Sequence, residues 1–224
     1  MKIHLDSADI AEIRWAAEAG LIDGVTTDPT LLSRVAGARD PREILAEICA
    51  AVDGPVSAGV VAVDGEGMYR EGKDLARIAE NIVVAVPMIE EGLAVVRHLA
   101  TDGIAVNVTL VFSAMQALLA AKAGASCVSP FVGRLDDSGH DGAEVVRQIR
   151  AIFRNYEIET EVLAASLRHP AHALQVALAG ADIGTMPASV LRQLLLHPLT
   201  DRGIDQFLND WSRIGHHPAP ETAP

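Results

Sequence analysis

A single barrel of eight βα units, the (β/α)8 or TIM barrel of the α/β class, followed by one additional C-terminal helix, is the fold this sequence predicts. Three observations carry that expectation. Short β-like runs alternate with longer helical patterns from one end of the chain to the other, the sequence form of repeated βα units around a parallel sheet. Eight strand candidates can be counted, near residues 2–6, 22–27, 55–61, 82–87, 104–109, 126–130, 160–165 and 182–185. Several are continuously apolar, as strands covered on both faces should be. The alternative is an open doubly wound sheet, but no Gly-x-Gly-x-x-Gly follows the first strand to support it.

The 224 residues, half of them apolar and 21% charged, suit one substantial core. One domain is expected over residues 1–215, with residues 216–224, which lack an apolar stripe, as a loose tail. The first strand alternates through Ile3-His4-Leu5-Asp6, with His4 expected in the lower layers of the core and a helix expected from Ala8. Asp40-Pro41-Arg42-Glu43 reads as a helix start: an N-cap acid, a proline whose missing N–H costs nothing in the first turn, and a glutamate that can close a capping box. Ser113-Ala114-Met115-Gln116 reads as a second capping box. Gly54, Gly103 and Gly124 fall where helices should end, as left-handed terminators. After the last strand, residues 187–196 read as the eighth helix. Residues 199–214 read as one more amphipathic helix with Ile204, Phe207, Leu208 and Trp211 on one face, able either to close the barrel or to pack on a neighbouring subunit.

Charge and composition narrow the partners. A net charge of -12 without a basic run repels nucleic acid and anionic lipid alike. No apolar run reaches the roughly 20 residues a membrane span needs. Two cysteines, Cys49 and Cys127, are too few for a disulfide scaffold, and the chain does not open with a basic, then apolar, leader. A soluble, reducing, cytoplasmic setting is expected. His169-Pro170-Ala171-His172 spaces two histidines at a helix start without suggesting a third ligand, so no metal site and no cofactor are expected.

Catalytic groups in such barrels come from the C-terminal ends of the strands. Asp6 ends the first strand, as a functional carboxylate or as a cap on the helix that follows. Thr26-Thr27-Asp28-Pro29 ends the second, where Asp28 is also a plausible N-cap. Asn107-Val108-Thr109 ends the fifth, Ser129 to Arg134 the sixth, and Ser166-Leu167-Arg168 the seventh. Arg134, Ser166 and Arg168 suggest an anion site, because two guanidinium forks and a hydroxyl match three phosphate oxygens; pairing of Arg134 with Asp136 or Asp137 is the plainer alternative.

Six ungapped segments spanning nearly the whole chain then resemble, in order, the signatures of the transaldolase and fructose-6-phosphate aldolase family. They are Leu5 to Asp9, Gly24 to Thr30, Asn107 to Ser113, Gln116 to Gly124, Val128 to Asp137 and Ala164 to Arg168. The resemblance implies an (α/β)8 barrel of carbohydrate (pentose phosphate) metabolism that moves or releases a dihydroxyacetone unit from a ketose phosphate through a lysine Schiff base. It also implies rings of five that pair into decamers. By matching positions, Asp6 resembles the acid/base carboxylate and Thr109 the holder of the catalytic water. Asn107 and Ser129 resemble donor-hydroxyl contacts, with Thr26 among the substrate-binding positions. Arg134, Ser166 and Arg168 resemble the phosphate clamp. Phe131 matches the transaldolase branch, where the aldolase branch carries tyrosine.

One position departs decisively: Ala85 stands where the family carries its imine-forming lysine. Lys2 begins the first strand at the opposite mouth, Lys73 lies inside the third of the eight helices and Lys122 near the end of the fifth, so none is expected to reach a substrate carbonyl. Gly59 stands for a glutamate or glutamine that helps hold the catalytic water, Asp28 for an asparagine, Ile89 for a threonine, Met115 for an asparagine, and Cys127 where tyrosine is frequent. These departures suggest a pocket remodelled to be roomier and more apolar. Three readings fit: a disabled or redesigned transaldolase acting on sugar phosphate or another small substrate, a natural paralogue that binds sugar phosphate without turnover or uses Asp6 and Asp28 for acid/base chemistry, and a single substitution amid ordinary variation. Asp28, desolvated by Val86, Ile89 and Met115, is the first choice of base; Cys127 is expected to be inert.

Overall fold

The computed structural model describes residues 1–214; the expected tail, 216–224, lies outside them. Eight strands run β1 (Lys2–Asp6), β2 (Gly24–Thr26), β3 (Val56–Gly59), β4 (Ile82–Pro87), β5 (Val106–Val111), β6 (Cys127–Pro130), β7 (Glu161–Ala164) and β8 (Ile183–Met186). They close into one barrel in sequential order, every pairing parallel, with β8 returning to β1 through Ile3 opposite Gly184 and His4 opposite Thr185. The open-sheet alternative is thereby excluded.

The helices are α1 (Ile10–Glu18), α2 (Pro29–Ala36), α3 (Pro41–Ala51), α4 (Gly65–Ala76), α5 (Glu90–Thr101), α6 (Ala114–Ala123), α7 (Val132–Asp137), α8 (Gly142–Asn155), α9 (Pro170–Ala179), α10 (Ala188–Leu194) and α11 (Pro198–Arg213). Alternation along each strand sends one set of side chains outward and the next inward. The outward set, including Val25, Val56, Val84, Val86, Val108, Val128 and Val162, is fully buried against Ile13, Ile48, Met68, Leu99, Ile149 and Phe153 of the helical ring. That layer is the main core, and it fixes the strand ends on which the site stands.

Local signals explain most boundaries. Asp40 accepts the amide of Arg42 and Ser113 that of Gln116, so both are N-caps, but Gln116 Oε1 accepts from Phe112 and not from Ser113 as a closed capping box would have it. Gly124 ends α6 at φ 104°, and Gly103 follows α5 at φ 78°. Gly54 serves another purpose: α3 stops at Ala51, and a Cβ at Gly54 would lie 1.8 Å from the carbonyl oxygen of Asp23, so close chain approach, not a left-handed turn, requires glycine there. The first helix starts later than Ala8. Asp9 is its N-cap, accepting from Ala11 and Glu12, which leaves Asp6 free of any capping duty.

The last helix does not close the barrel, since β8 already pairs with β1. No residue of α11 is buried; Leu199, Ile204, Phe207 and Leu208 are 64%, 51%, 74% and 41% exposed. Among the described residues, no helix is long and apolar enough to cross a membrane.

Candidate active site

The inward set of strand residues converges on a cavity of about 410 Å3 at the C-terminal ends of the strands. Its wall holds Asp6 from β1, Thr26 from β2, Ser57 and Gly59 from β3, Ala85 and Pro87 from β4, Asn107 and Thr109 from β5, Ser129 from β6, Leu163 from β7 and Thr185 from β8. Asp28, Phe131, Arg134, Ala165 and Ser166 join from the loops. A second, apolar groove of about 330 Å3 between α2, α3 and α4 shares Pro29, Gly59 and Val61 with this wall but lacks its convergent polar groups. The barrel mouth is therefore the candidate site.

Asp6 is the carboxylate that burial perturbs. Its Oδ1 accepts from the Thr26 hydroxyl at 2.8 Å. Desolvation pushes it up from 3.8 to about 6; the bond from Thr26 opposes that rise, the negative charge of Asp28 adds to it, and Arg34 opposes it. Asp28 differs. It is exposed, and its side chain accepts the amide of Leu31 at 2.7 Å as the N-cap of α2. The residues expected to desolvate it are elsewhere. Val86 points outward into the core, Ile89 is 38% exposed at the start of α5, and Met115 is 60% exposed in the first turn of α6. None of the three lines the cavity, because strand alternation places 85 inward and 86 outward and because 89 and 115 already belong to the helical ring.

A second polar network faces Asp6. Ser129 donates to Asn107 Oδ1 at 2.7 Å, and the Asn107 amide donates to Ser57 at 3.2 Å. The Asn107 amide is thereby held from both ends, by Ser129 on β6 and Ser57 on β3. Beside this network the wall carries little side chain, although at Gly59 the Pro29 ring stands 3.3 Å from where a Cβ would lie. Gly59, Ala85 and Asn107 sit at one level across β3, β4 and β5, and the first two offer no side chain beyond a methyl. The register between β5 and β6 slips between Val108 and Val111, and Leu110 adopts φ 58°; this bulge turns the end of β5, bringing Thr109 and Leu110 both into the wall.

The anion corner forms where β6 and β7 end. Arg134 and Ser166 line the cavity, the Arg134 guanidinium lying 4.8 Å from the centre of the Phe131 ring. Ser166 takes the left-handed φ of 60°, a strained conformation for a non-glycine residue and one that clusters at ligand sites. Gly133 makes the corner possible: a Cβ there would lie 2.2 Å from the Ser166 carbonyl oxygen and 2.9 Å from Nε of Arg168. Arg168 does not line the cavity. It pairs with Asp137, while Asp136 engages His172 at 2.7 Å, so neither acid neutralises Arg134.

Cys127 sits beneath the cavity, packed with Leu163, Ala165 and Ile183, and burial pushes its thiol far above the ordinary range. A thiol kept protonated is no nucleophile. Lys2 pairs with Glu161 at 2.7 Å and Lys73 with Asp102 at 3.0 Å; among the described residues no lysine lines the cavity. His4 is buried at the barrel floor with both ring nitrogens unpaired, and burial lowers it to about 4. His169 caps α9 and stacks on His172; among the described residues no cluster of three metal-ligating groups exists. Ser57 and Thr185 were not singled out from sequence. For Ser57 strand parity carries a signal, since it shares the inward face of β3 with Gly59; Thr185 has no such neighbour on β8.

Comparison with known proteins agrees with this geometry. The family model described as transaldolase/fructose-6-phosphate aldolase matches residues 3–217. A protein described as "Probable transaldolase" from Aquifex aeolicus is 55% identical over 97% of this chain and 100% of its own length. One of the same description from Herpetosiphon aurantiacus is 56% identical over 96% of each. Among solved structures, one titled "Native KDPGal structure" superposes with a TM-score of 0.57 at 17% identity, covering 83% of this chain and 82% of its own. Thiamine phosphate pyrophosphorylase from Pyrococcus furiosus gives the same score and identity over 85% and 87%. At that identity the last two speak for the barrel alone.

Proposed function

Because this chain belongs to the transaldolase and fructose-6-phosphate aldolase family, we propose that its barrel holds a ketose phosphate in the strand-end cavity while lacking the amine that would capture it as an imine. One observation carries the reading: the Ala85 methyl lies in the wall among Asp6, Asn107 and Thr109, and no lysine shares that wall. An imine needs a primary amine within bonding distance of the carbonyl carbon, and a methyl supplies none.

The remaining groups have work they can do without it. Arg134, with Ser166, receives the phosphate, and Arg168 completes the clamp once it leaves Asp137. Asn107, Ser129 and Thr26 meet the sugar hydroxyls, Thr109 holds a water, and Phe131 favours the transaldolase branch. Asp6, with a proton affinity near neutrality, serves as acid/base group. That property also supports a second reading, in which proton transfer at a carbon next to the substrate carbonyl proceeds from Asp6 alone, Asp28 remaining a helix cap. The bare methyl of Ala85 in the cavity wall supports the idea of a disabled or redesigned pocket. We read the exposed apolar face of α11 as the contact for a neighbouring copy in a pentamer or decamer, in a cytoplasmic setting.

Borohydride trapping with fructose 6-phosphate, read by intact mass, tests the central point. No adduct is expected on this chain and a stable one on Ala85→Lys. An adduct on the unaltered chain would show that another amine serves and would sink the proposal. Titration calorimetry with fructose 6-phosphate tests binding, and a cavity that takes up no sugar phosphate would equally overturn it.

A further inference from the structure

The hydroxyl that Asp6 accepts from has a partner of its own. Thr26 Oγ1 lies 2.8 Å from Asp6 Oδ1 and 2.6 Å from Oγ1 of Thr185. Thr26 and Thr185 are 7% and 2% exposed, on β2 and β8, the two strands that flank β1. Each hydroxyl has one proton to give, and an ionised carboxylate has none. Thr26 can therefore donate to Asp6 only if the bond between the two threonines runs from Thr185 to Thr26. The geometry alone leaves that second bond undirected, and the charge on Asp6 directs it.

We propose that Thr185 is a positioning residue for Asp6, its hydroxyl fixing the proton of Thr26 on the carboxylate and so holding that carboxylate in one orientation at the edge of the cavity. The role deepens the reading of Asp6 as acid/base group and rests on it. Hydrogen bonds in series polarise one another, so the bond from Thr185 strengthens the one that Thr26 makes to the anion. Threonine suits the position because its branched Cβ limits the rotamers through which the hydroxyl could wander. When Asp6 takes up a proton, both hydroxyls can reverse together, Thr26 donating to Thr185 and Thr185 turning its own proton to the cavity it lines. An acid/base residue needs a partner that serves both of its states, and a lone hydroxyl backed by an apolar wall would leave its own proton buried and unpaired in one of them. The other charges that bear on Asp6 are Asp28, at the N-cap of α2, and Arg34 in its last turn; neither belongs to this chain of hydroxyls.

The experiment is a carboxyl-carbon NMR titration of Asp6 in the ligand-free protein, with the resonance assigned through Asp6→Asn. The unaltered chain should show a midpoint near 6. Thr185→Val, which keeps the shape and removes the hydroxyl, should raise it by about 0.3–0.6 pH units, because the carboxylate loses part of its support. Thr185→Ser should bring it back, and Thr26→Val should raise it by about one unit or more. If the valine chain fails to fold, Thr185→Ala against Thr185→Ser makes the same comparison. A midpoint near 6 that neither valine nor alanine at 185 moves would overturn the positioning role while leaving the acid/base reading intact. A midpoint near 4 that Thr185→Val still displaces would do the reverse.

Discussion

Replacing Asp6 with asparagine should stabilise this protein above pH 7 and leave it nearly unchanged at pH 4. The folded chain binds the Asp6 proton more tightly than the unfolded chain, since burial raises the group from 3.8 to about 6. Stability is therefore highest below the unfolded value, falls as pH rises through the interval between the two, and levels off above 6. A tenfold change in proton affinity corresponds to about 1.4 kcal/mol, which sets the cost of the buried anion at about 3 kcal/mol as an upper bound. The carboxylate opens on a solvated cavity, so about 2 kcal/mol is the working figure. Asparagine keeps an oxygen to accept from Thr26 and nearly the same volume, so it removes the charge and little else. Urea denaturation at pH 4 and pH 8 reads the effect. Asp6→Asn should gain about 2 kcal/mol at pH 8, or roughly 4–8 °C in Tm at this chain length, and within about 0.5 kcal/mol of nothing at pH 4. His4, held neutral down to about 4, loses stability on acidification in both chains alike and cancels from the difference. A gain equal at both pH values, or absent at pH 8, would refute the account of Asp6 as a desolvated carboxylate.

Other consequences are as direct. Asp137→Asn releases Arg168 from its ion pair and should tighten inorganic phosphate or fructose 6-phosphate binding about threefold by calorimetry, weaker binding being the contrary result. Ser166→Gly removes the strain of φ 60° and should raise stability by about 1 kcal/mol while weakening phosphate binding by about tenfold, a trade visible in paired denaturation and calorimetry. Gly133→Ala forces the Ser166 carbonyl away and should cost phosphate binding more than it costs helix content in circular dichroism. Ala85→Lys, besides restoring imine trapping, should lower the Asp6 midpoint measured by NMR, because an ammonium in the same cavity favours the carboxylate.

Much of this architecture was legible in the chain itself because barrels repeat one instruction. Each strand is buried on both faces, so Ile82-Val83-Val84-Ala85-Val86 and its counterparts stand out as apolar runs, and caps such as Asp40 and Ser113 mark where helices resume. The acids at the strand ends were legible too, but their surroundings were not. Asp6 and Asp28 look alike as acids at strand ends. Only the structure shows Asp9 taking the cap of α1, which frees Asp6 to be buried, while Asp28 spends its side chain on α2 and stays in water. Ile89 and Met115 read as pocket residues from the positions they replace, yet the first turns of α5 and α6 hold them outside. Thr185 is not legible in the same way, because a lone small polar residue inside β8 has no pattern around it. Its meaning comes from strands far away in sequence, as with Thr185 and Thr26, 159 residues apart.

Ala85 and the proton affinity of Asp6 are best understood together. Burial raises Asp6 with no ammonium on β4 to offset it; Arg134 lines the same cavity at the anion corner, but the cation that opposes the rise is Arg34, in the last turn of α2. A lysine on β4 would change both partners at once: its ammonium would hold Asp6 ionised, and Asp6 would hold the amine protonated until substrate arrived. With a methyl in that place, Asp6 faces no ammonium from β4, and burial holds its proton up to about 6. Asn107 is bonded to Ser129 and Ser57, and Thr26 to Asp6 and Thr185, so these wall residues have partners that do not depend on an amine at 85. On the proposed reading the barrel dispenses with its nucleophile without losing its shape, and Asp6 is the group that would carry the proton.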